Sequence, residues 1–198
     1  MIKLAIFDMD GTVFESHLDW EKIRRDLGIK SNILKEIYQD NGVDHKKLKK
    51  LEGYEEDNTL KTVPIRGISD FLTFLETRGI TSVLVTNNNR KNTDFLLNRF
   101  DLSFDSVLTR EKKMWKPSPE PFLFVMERYR CKQEESISIG DSHYDVLASR
   151  EAGIKNIFII KNKRQLKLSD TGNIVFFSDF LELKYVLNEA FSIDSSSE

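Results

Sequence analysis

Short, unbroken apolar runs, each ending abruptly in polar or acidic residues, constrain the fold of this 198-residue sequence more than any other feature. Leu4-Ala5-Ile6-Phe7 is the first, and it stops at Asp8. Residues 82–85, 136–139 and 157–160 repeat the pattern, and 106–108 and 174–177 are shorter versions. A strand that is apolar at every position has no face to give to water, so it belongs in a sheet covered on both sides. Helical periodicity fills most of the intervals, at 68–77, 93–100, 119–129, 144–152 and 180–191. Strands alternating with amphipathic helices predict an α/β fold whose sheet is mainly parallel and flanked by helices.

One stretch breaks the alternation. From Leu18 to Lys61 the apolar residues follow helical spacing: Trp20, Ile23 and Leu27, then Ile33, Leu34, Ile37 and Tyr38. Gly28, Asn41-Gly42 and Gly53 punctuate it, and Pro64 and Gly67 mark the return to the strand–helix pattern. The expectation is a small all-helical insert after the first strand. That divides the chain into a sheet domain of residues 1–14 and 62–191 and an insert of 15–61. A polar tail, 192–198, is expected to fray.

The formal net charge is −2, so no basic footprint calls for a nucleic-acid or membrane-surface partner. Lys46, Lys47, Lys49 and Lys50 are followed at once by the acidic stretch 52–57, which reads as a solvated face of mixed charge. Cys131 is the only cysteine. It permits no internal disulfide, which fits a reducing compartment, and no catalytic partner adjoins it. No apolar run approaches the roughly 18 residues that span a bilayer. The run 2–7 is too short for a signal-peptide core and ends in an acid. A cytoplasmic protein, monomeric or a small homo-oligomer, is expected.

Chemistry collects where the apolar runs end. Asp8 and Asp10, in Phe7-Asp8-Met9-Asp10-Gly11-Thr12, are two acids at i and i+2, and Gly11 permits a sharp turn after them. Thr86, Asn87 and Asn88 follow 82–85 and offer a hydroxyl and amides to phosphate oxygens. Lys116 stands at the head of a loop stiffened by Pro117 and Pro119. Its ammonium suits a phosphate or a carboxylate cluster. Asp141 and Asp145 follow 136–139 and lie four residues apart, near one face if a helix begins at Ser142. Ligands bind at the carboxyl ends of parallel strands, so the four segments converge if the runs share one sheet. Four acids at one place demand a cation, and an all-oxygen ligand set suits a hard ion such as magnesium.

In this order, DMDGT, VTNN, the lysine of KPSPEP and GDSHYD resemble the four motifs of the haloacid-dehalogenase-like phosphatases. The likeness extends over residues 1–14 and 62–191, and 109–121 resembles phosphoglycolate-phosphatase-like members. It implies a Rossmann-like core, with the insert in the place of the small helical C1 cap of that family. It also implies the roles. Asp8 attacks phosphorus and becomes an aspartyl phosphate. Asp10 protonates the leaving alcohol and then activates water. Thr86 and the Asn87 amide bind the transferred phosphoryl group, and Lys116 neutralises charge between it and Asp8. Asp8, the main-chain carbonyl of Asp10, and Asp141 ligate magnesium, and Asp145 orients a ligand water or Lys116. Glu15-Ser16 stands where many relatives have Asp-Ser.

The expected activity is magnesium-dependent hydrolysis of a small phosphorylated metabolite. A haloacid dehalogenase of the same fold is the nearest rival, and Asp10 speaks against it because that reaction has no alcohol to protonate. A phosphomutase or a phospho-accepting regulatory domain are the other readings. Selection of substrate falls to the insert, where His17, Trp20, Arg24 and Arg25 are candidates for the closing face.

Overall fold

The computed structural model describes residues 1–161 and 172–194. Six parallel strands form one sheet in the order β5-β4-β1-β6-β7-β8. These are β1 (Leu4–Phe7), β4 (Thr81–Val85), β5 (Ser106–Leu108), β6 (Ser136–Gly140), β7 (Asn156–Ile160) and β8 (Ile174–Phe177). The helices that connect and flank them are α4 (Ile68–Glu76), α5 (Arg90–Arg99), α6 (Glu120–Tyr129), α7 (His143–Glu151) and α8 (Phe180–Asp194).

β1 shows why the apolar runs are continuous. Ala5 and Phe7 pack into a core with Ile68 and Phe71 of α4, Leu96 of α5, and Phe180 and Leu183 of α8. Leu4 and Ile6 point the other way, into a core with Phe122, Val125 and Met126 of α6. The period-2 alternation of a strand therefore delivers apolar side chains to two layers of helices. Complete burial of Leu4, Ile6 and Phe7 is worth about 1.5–3 kcal/mol for each side chain.

The order of strands places the site. From β1 the chain builds β4 and β5 toward one edge, then returns to lay β6, β7 and β8 on the other side of β1. Connections leave β1 in opposite directions, and such a switch point opens a crevice at the carboxyl ends of the strands. Asp8, Thr86 and Asp141 are the residues directly after β1, β4 and β6.

Between β1 and α4 lies the insert: α1 (Trp20–Leu27), α2 (Ile33–Ile37), a hairpin of β2 (Tyr38–Gln39) and β3 (Gly42–Val43), and α3 (His45–Lys61). It has its own apolar cluster, including Leu18, Ile23, Leu27, Ile33, Leu34, Ile37 and Leu51. Asp19 caps α1 by accepting from the Lys22 amide at 2.9 Å. Gly28, left-handed at φ 67°, ends it. The hairpin is the one departure from an all-helical insert. Asp40-Asn41 turns the chain there, and two residues per strand are too few to leave an alternating pattern in the sequence.

The two crossings between sheet domain and insert run side by side. Glu15 donates to the Val63 carbonyl and Ile65 to that of Val13, both at 2.9 Å. Trp115 belongs to the loop before α6, yet its ring packs with the insert cluster, 5.3 Å from the ring of Tyr38. Helix α8 continues through Ser192 to Asp194, and residues 195–198 of the expected tail lie outside the described residues. Among the described residues no helix is long and apolar enough to cross a membrane.

Candidate active site

Lys116 is the hub. Its Nζ donates to Asp8 Oδ1 at 2.5 Å and to Asp145 Oδ1 at 2.7 Å, and all three residues are buried. The loop that carries it is pinned by Asn87. The Asn87 side chain accepts from the Lys116 amide and donates to the Lys116 carbonyl, both at 2.9 Å. One amide thus satisfies both main-chain groups of the residue whose placement matters most. The Asn87 side chain is committed to that loop.

Asp145 sits in the first turn of α7. Its Oδ2 accepts from the Ser142 hydroxyl at 2.6 Å and from the Ser142 amide at 3.0 Å, while its Oδ1 takes Lys116. Both oxygens are engaged by cationic or neutral donors, an arrangement that orients Lys116. Asp8, Asp141 and Asp145 each bring an oxygen within 4.8 Å of the others, so the three could hold a metal ion. Glycines permit the crowding. A Cβ on Gly11 would lie 2.3 Å from Asp141 Oδ2, and one on Gly140 would lie 2.4 Å from the Asp145 Cβ. Gly11 also adopts φ +98°, a conformation that side chains resist.

The electrostatics follow from burial and pairing. Burial, with the charges of Asp145 and Asp10 behind it, pushes the Asp8 carboxyl up to about 6 against the pull of Lys116. Burial alone would also raise Asp145. The Lys116 ammonium and the Ser142 donors outweigh it and hold Asp145 below the usual carboxylate range. Burial likewise works against the Lys116 charge, and the carboxylates of Asp145 and Asp8 more than restore it.

Asp10 is held by two side-chain amides. Its Oδ2 accepts from Asn88 Nδ2 at 2.9 Å and its Oδ1 from Asn58 Nδ2 at 3.4 Å. Asn58 belongs to α3 of the insert, and its own Oδ1 accepts from the His17 amide at 2.8 Å. Thr86 Oγ1 accepts from the Asn88 amide at 3.0 Å. Thr12 donates to Asp8 Oδ2 at 3.2 Å. Asp8, Asp10, Thr86, Asn87, Lys116 and Asp141 all border one cavity of about 580 Å³. Asp145 stands behind them, against Lys116. The insert lines the far side with Trp20, Arg24, Ile33, Leu34 and Leu51. His17 and Arg25 are exposed and are not among the lining residues.

Two participants in this arrangement were not singled out by sequence. Asn58 and Glu55 lie in a segment whose charges suggest a solvated face, yet both are buried. Asn88, read from sequence as a donor to phosphate oxygens, donates to Asp10 instead. The one available signal is spacing: Leu51, Glu55, Asn58 and Thr59 fall on one helical face, and all four are buried.

The haloacid dehalogenase-like hydrolase family matches residues 15–159. The chain belongs to that family. Within it, an uncharacterized hydrolase of Saccharomyces cerevisiae is 28% identical over 171 residues, covering 81% of this chain and 78% of the yeast protein. Phosphoglycolate phosphatase 1 of Pseudomonas aeruginosa is 26% identical over 184 residues, covering 77% of this chain and 67% of its own length. Among solved structures, a haloacid dehalogenase-superfamily hydrolase of subfamily IA from Geobacter sulfurreducens superposes with a TM-score of 0.66. It is 23% identical, over 94% of this chain and all of its own, and supports the likeness of fold.

Proposed function

We propose that this haloacid dehalogenase-like hydrolase is a magnesium-dependent phosphatase that cleaves small phosphomonoesters through an aspartyl phosphate on Asp8. The observation that carries the reading is the buried bridge from Lys116 to Asp8 and Asp145, beside Asp141, at the switch point of the sheet. The naming of the Pseudomonas relative as a phosphoglycolate phosphatase supports it. The donor set supports the metal. Asp8, Asp141 and the Asp10 main-chain carbonyl would hold it, and such hard oxygen donors fit magnesium, whereas a thiolate or imidazole site would favour softer ions. A bound magnesium ion supplies positive charge between the nucleophile and a phosphate dianion.

The residues divide the work as follows. Asp8, once ionised, needs no base to act as a nucleophile. One of its oxygens forms a bond to phosphorus as the bond to the ester oxygen breaks. Lys116 offsets the charge that gathers on the phosphoryl oxygens, in a buried setting where a fixed cation acts strongly. Thr86 and the Asn87 main-chain amide receive those oxygens. Asp10 gives its proton to the leaving oxygen, then takes one from the water that attacks the aspartyl phosphate and releases inorganic phosphate. The insert excludes bulk water during the first step. The organic part of the substrate occupies the insert side of the cavity, where Trp20 and Leu51 offer apolar area and Arg24 a cation.

Hydrolysis of p-nitrophenyl phosphate tests this. Turnover requires magnesium and stops in excess EDTA, and Asp8→Asn lowers kcat by at least about 10³-fold with the fold retained by circular dichroism. Substantial activity in EDTA refutes the metal, and substantial activity in Asp8→Asn refutes the nucleophile. A stably phosphorylated protein without turnover identifies a phospho-accepting switch instead.

A further inference from the structure

Glu55 and Arg110 form an ion pair that the reaction above leaves unused. Arg110 is wholly buried and Glu55 is 2% exposed. Arg110 Nη1 donates to both Glu55 oxygens, at 2.7 and 2.9 Å, and Nη2 reaches Glu52 at 3.5 Å. The partners come from different parts of the chain. Glu55 lies on α3 of the insert, and Arg110 opens the short helical turn after β5. Taking two charges out of water is unfavourable, and an apolar pair of similar volume would join the two parts at least as firmly. What an apolar pair lacks is direction.

The pair is wired to Asp10. Asn89 Nδ2 donates to Glu55 Oε2 at 3.3 Å, and the Asn89 amide donates to Asn88 Oδ1 at 2.8 Å. Asn88 Nδ2 in turn donates to Asp10 at 2.9 Å. The Arg110 amide donates to the Asn88 carbonyl at 3.2 Å, which closes the circuit. One turn along α3 from Glu55, Asn58 reaches the other oxygen of Asp10. The seating of α3 and the aim of the Asp10 carboxyl share the same supports.

We propose that Glu55 and Arg110 are positioning residues for proton transfer by Asp10, holding α3 against the loop after β4 so that the carboxyl faces the leaving oxygen. The inference rests on the phosphatase reading of the site. Burial pushes the Glu55 carboxyl up to about 7 against the pull of Arg110. Removing Glu55 alone would strand a buried cation, so both charges are best removed together.

Two substrates of nearly equal shape make the test. Phenyl phosphate needs a proton on its departing oxygen, whereas nitrophenolate leaves from p-nitrophenyl phosphate unaided. The comparison is of kcat/KM on both, for wild type, Asp10→Asn, the double variant Glu55→Gln with Arg110→Met, and Asn89→Ser. Asp10→Asn sets the scale, with a loss on the order of 10²-fold greater on phenyl phosphate. The double variant and Asn89→Ser show the same bias, roughly tenfold. Thermal unfolding identifies a variant that does not fold. Asn89→Ser keeps a capping oxygen at the start of α5 and removes neither buried charge, so it carries the test if the double variant fails. Equal losses on the two substrates, or none, overturn the positioning role. Wild-type protein inactive on both overturns the phosphatase reading instead.

Discussion

In the proposed reaction Asp8 attacks as an anion, and its burial works against that charge, raising its carboxyl to about 6. The sign is definite. Below about 6 the group carries a proton and cannot act, so kcat/KM rises with pH through that range. Cations compete with protons for the same oxygens. Raising magnesium therefore moves the acidic limb of the pH profile to lower pH, and profiles of p-nitrophenyl phosphate hydrolysis at two metal concentrations measure the displacement. A limb that stays fixed as magnesium rises would place the titration on a group outside the metal site.

Strand β1 is the element on which stability and chemistry meet. Phe7 is fully buried against Phe71, Phe104 and Phe180, with ring centroids 6.0, 5.3 and 6.2 Å away, and the next residue is Asp8, the proposed nucleophile. Phe7→Ala should cost about 3–5 kcal/mol of unfolding free energy, measured by denaturant titration. A cost below about 1 kcal/mol would show that the site collapses around the missing ring. This element was the most legible in sequence, because burial on both faces leaves an uninterrupted apolar run. The tips of β1, β4 and β6 were legible for the same reason: the run stops where Asp8, Thr86 and Asp141 begin. The hairpin Tyr38–Val43 was not, since two residues cannot show a period. Nor was the inner face of α3. Glu55 and Asn58 look solvated because their local composition is polar, and their partners Arg110 and Asp10 stand 55 and 48 residues away. Pairing at that distance leaves no mark on local spacing.

At the scale of the molecule, two bodies with separate cores meet around one cavity. The sheet side supplies the proposed reacting groups, and the insert supplies apolar area, one tie to Asp10 and a buried carboxylate. Trp115 joins them a second way. Its half-buried ring packs against the core of the insert, while its peptide neighbour Lys116 bonds Asp8. Any swing of the insert about the paired crossings at 13–15 and 62–65 must therefore drag on the backbone that holds the lysine. The chain contains two tryptophans, and the other, Trp20, lines the cavity. Both tryptophans thus lie where the insert meets the sheet side. Tryptophan emission, with no label added, should therefore change if the insert moves against the loop that carries Lys116.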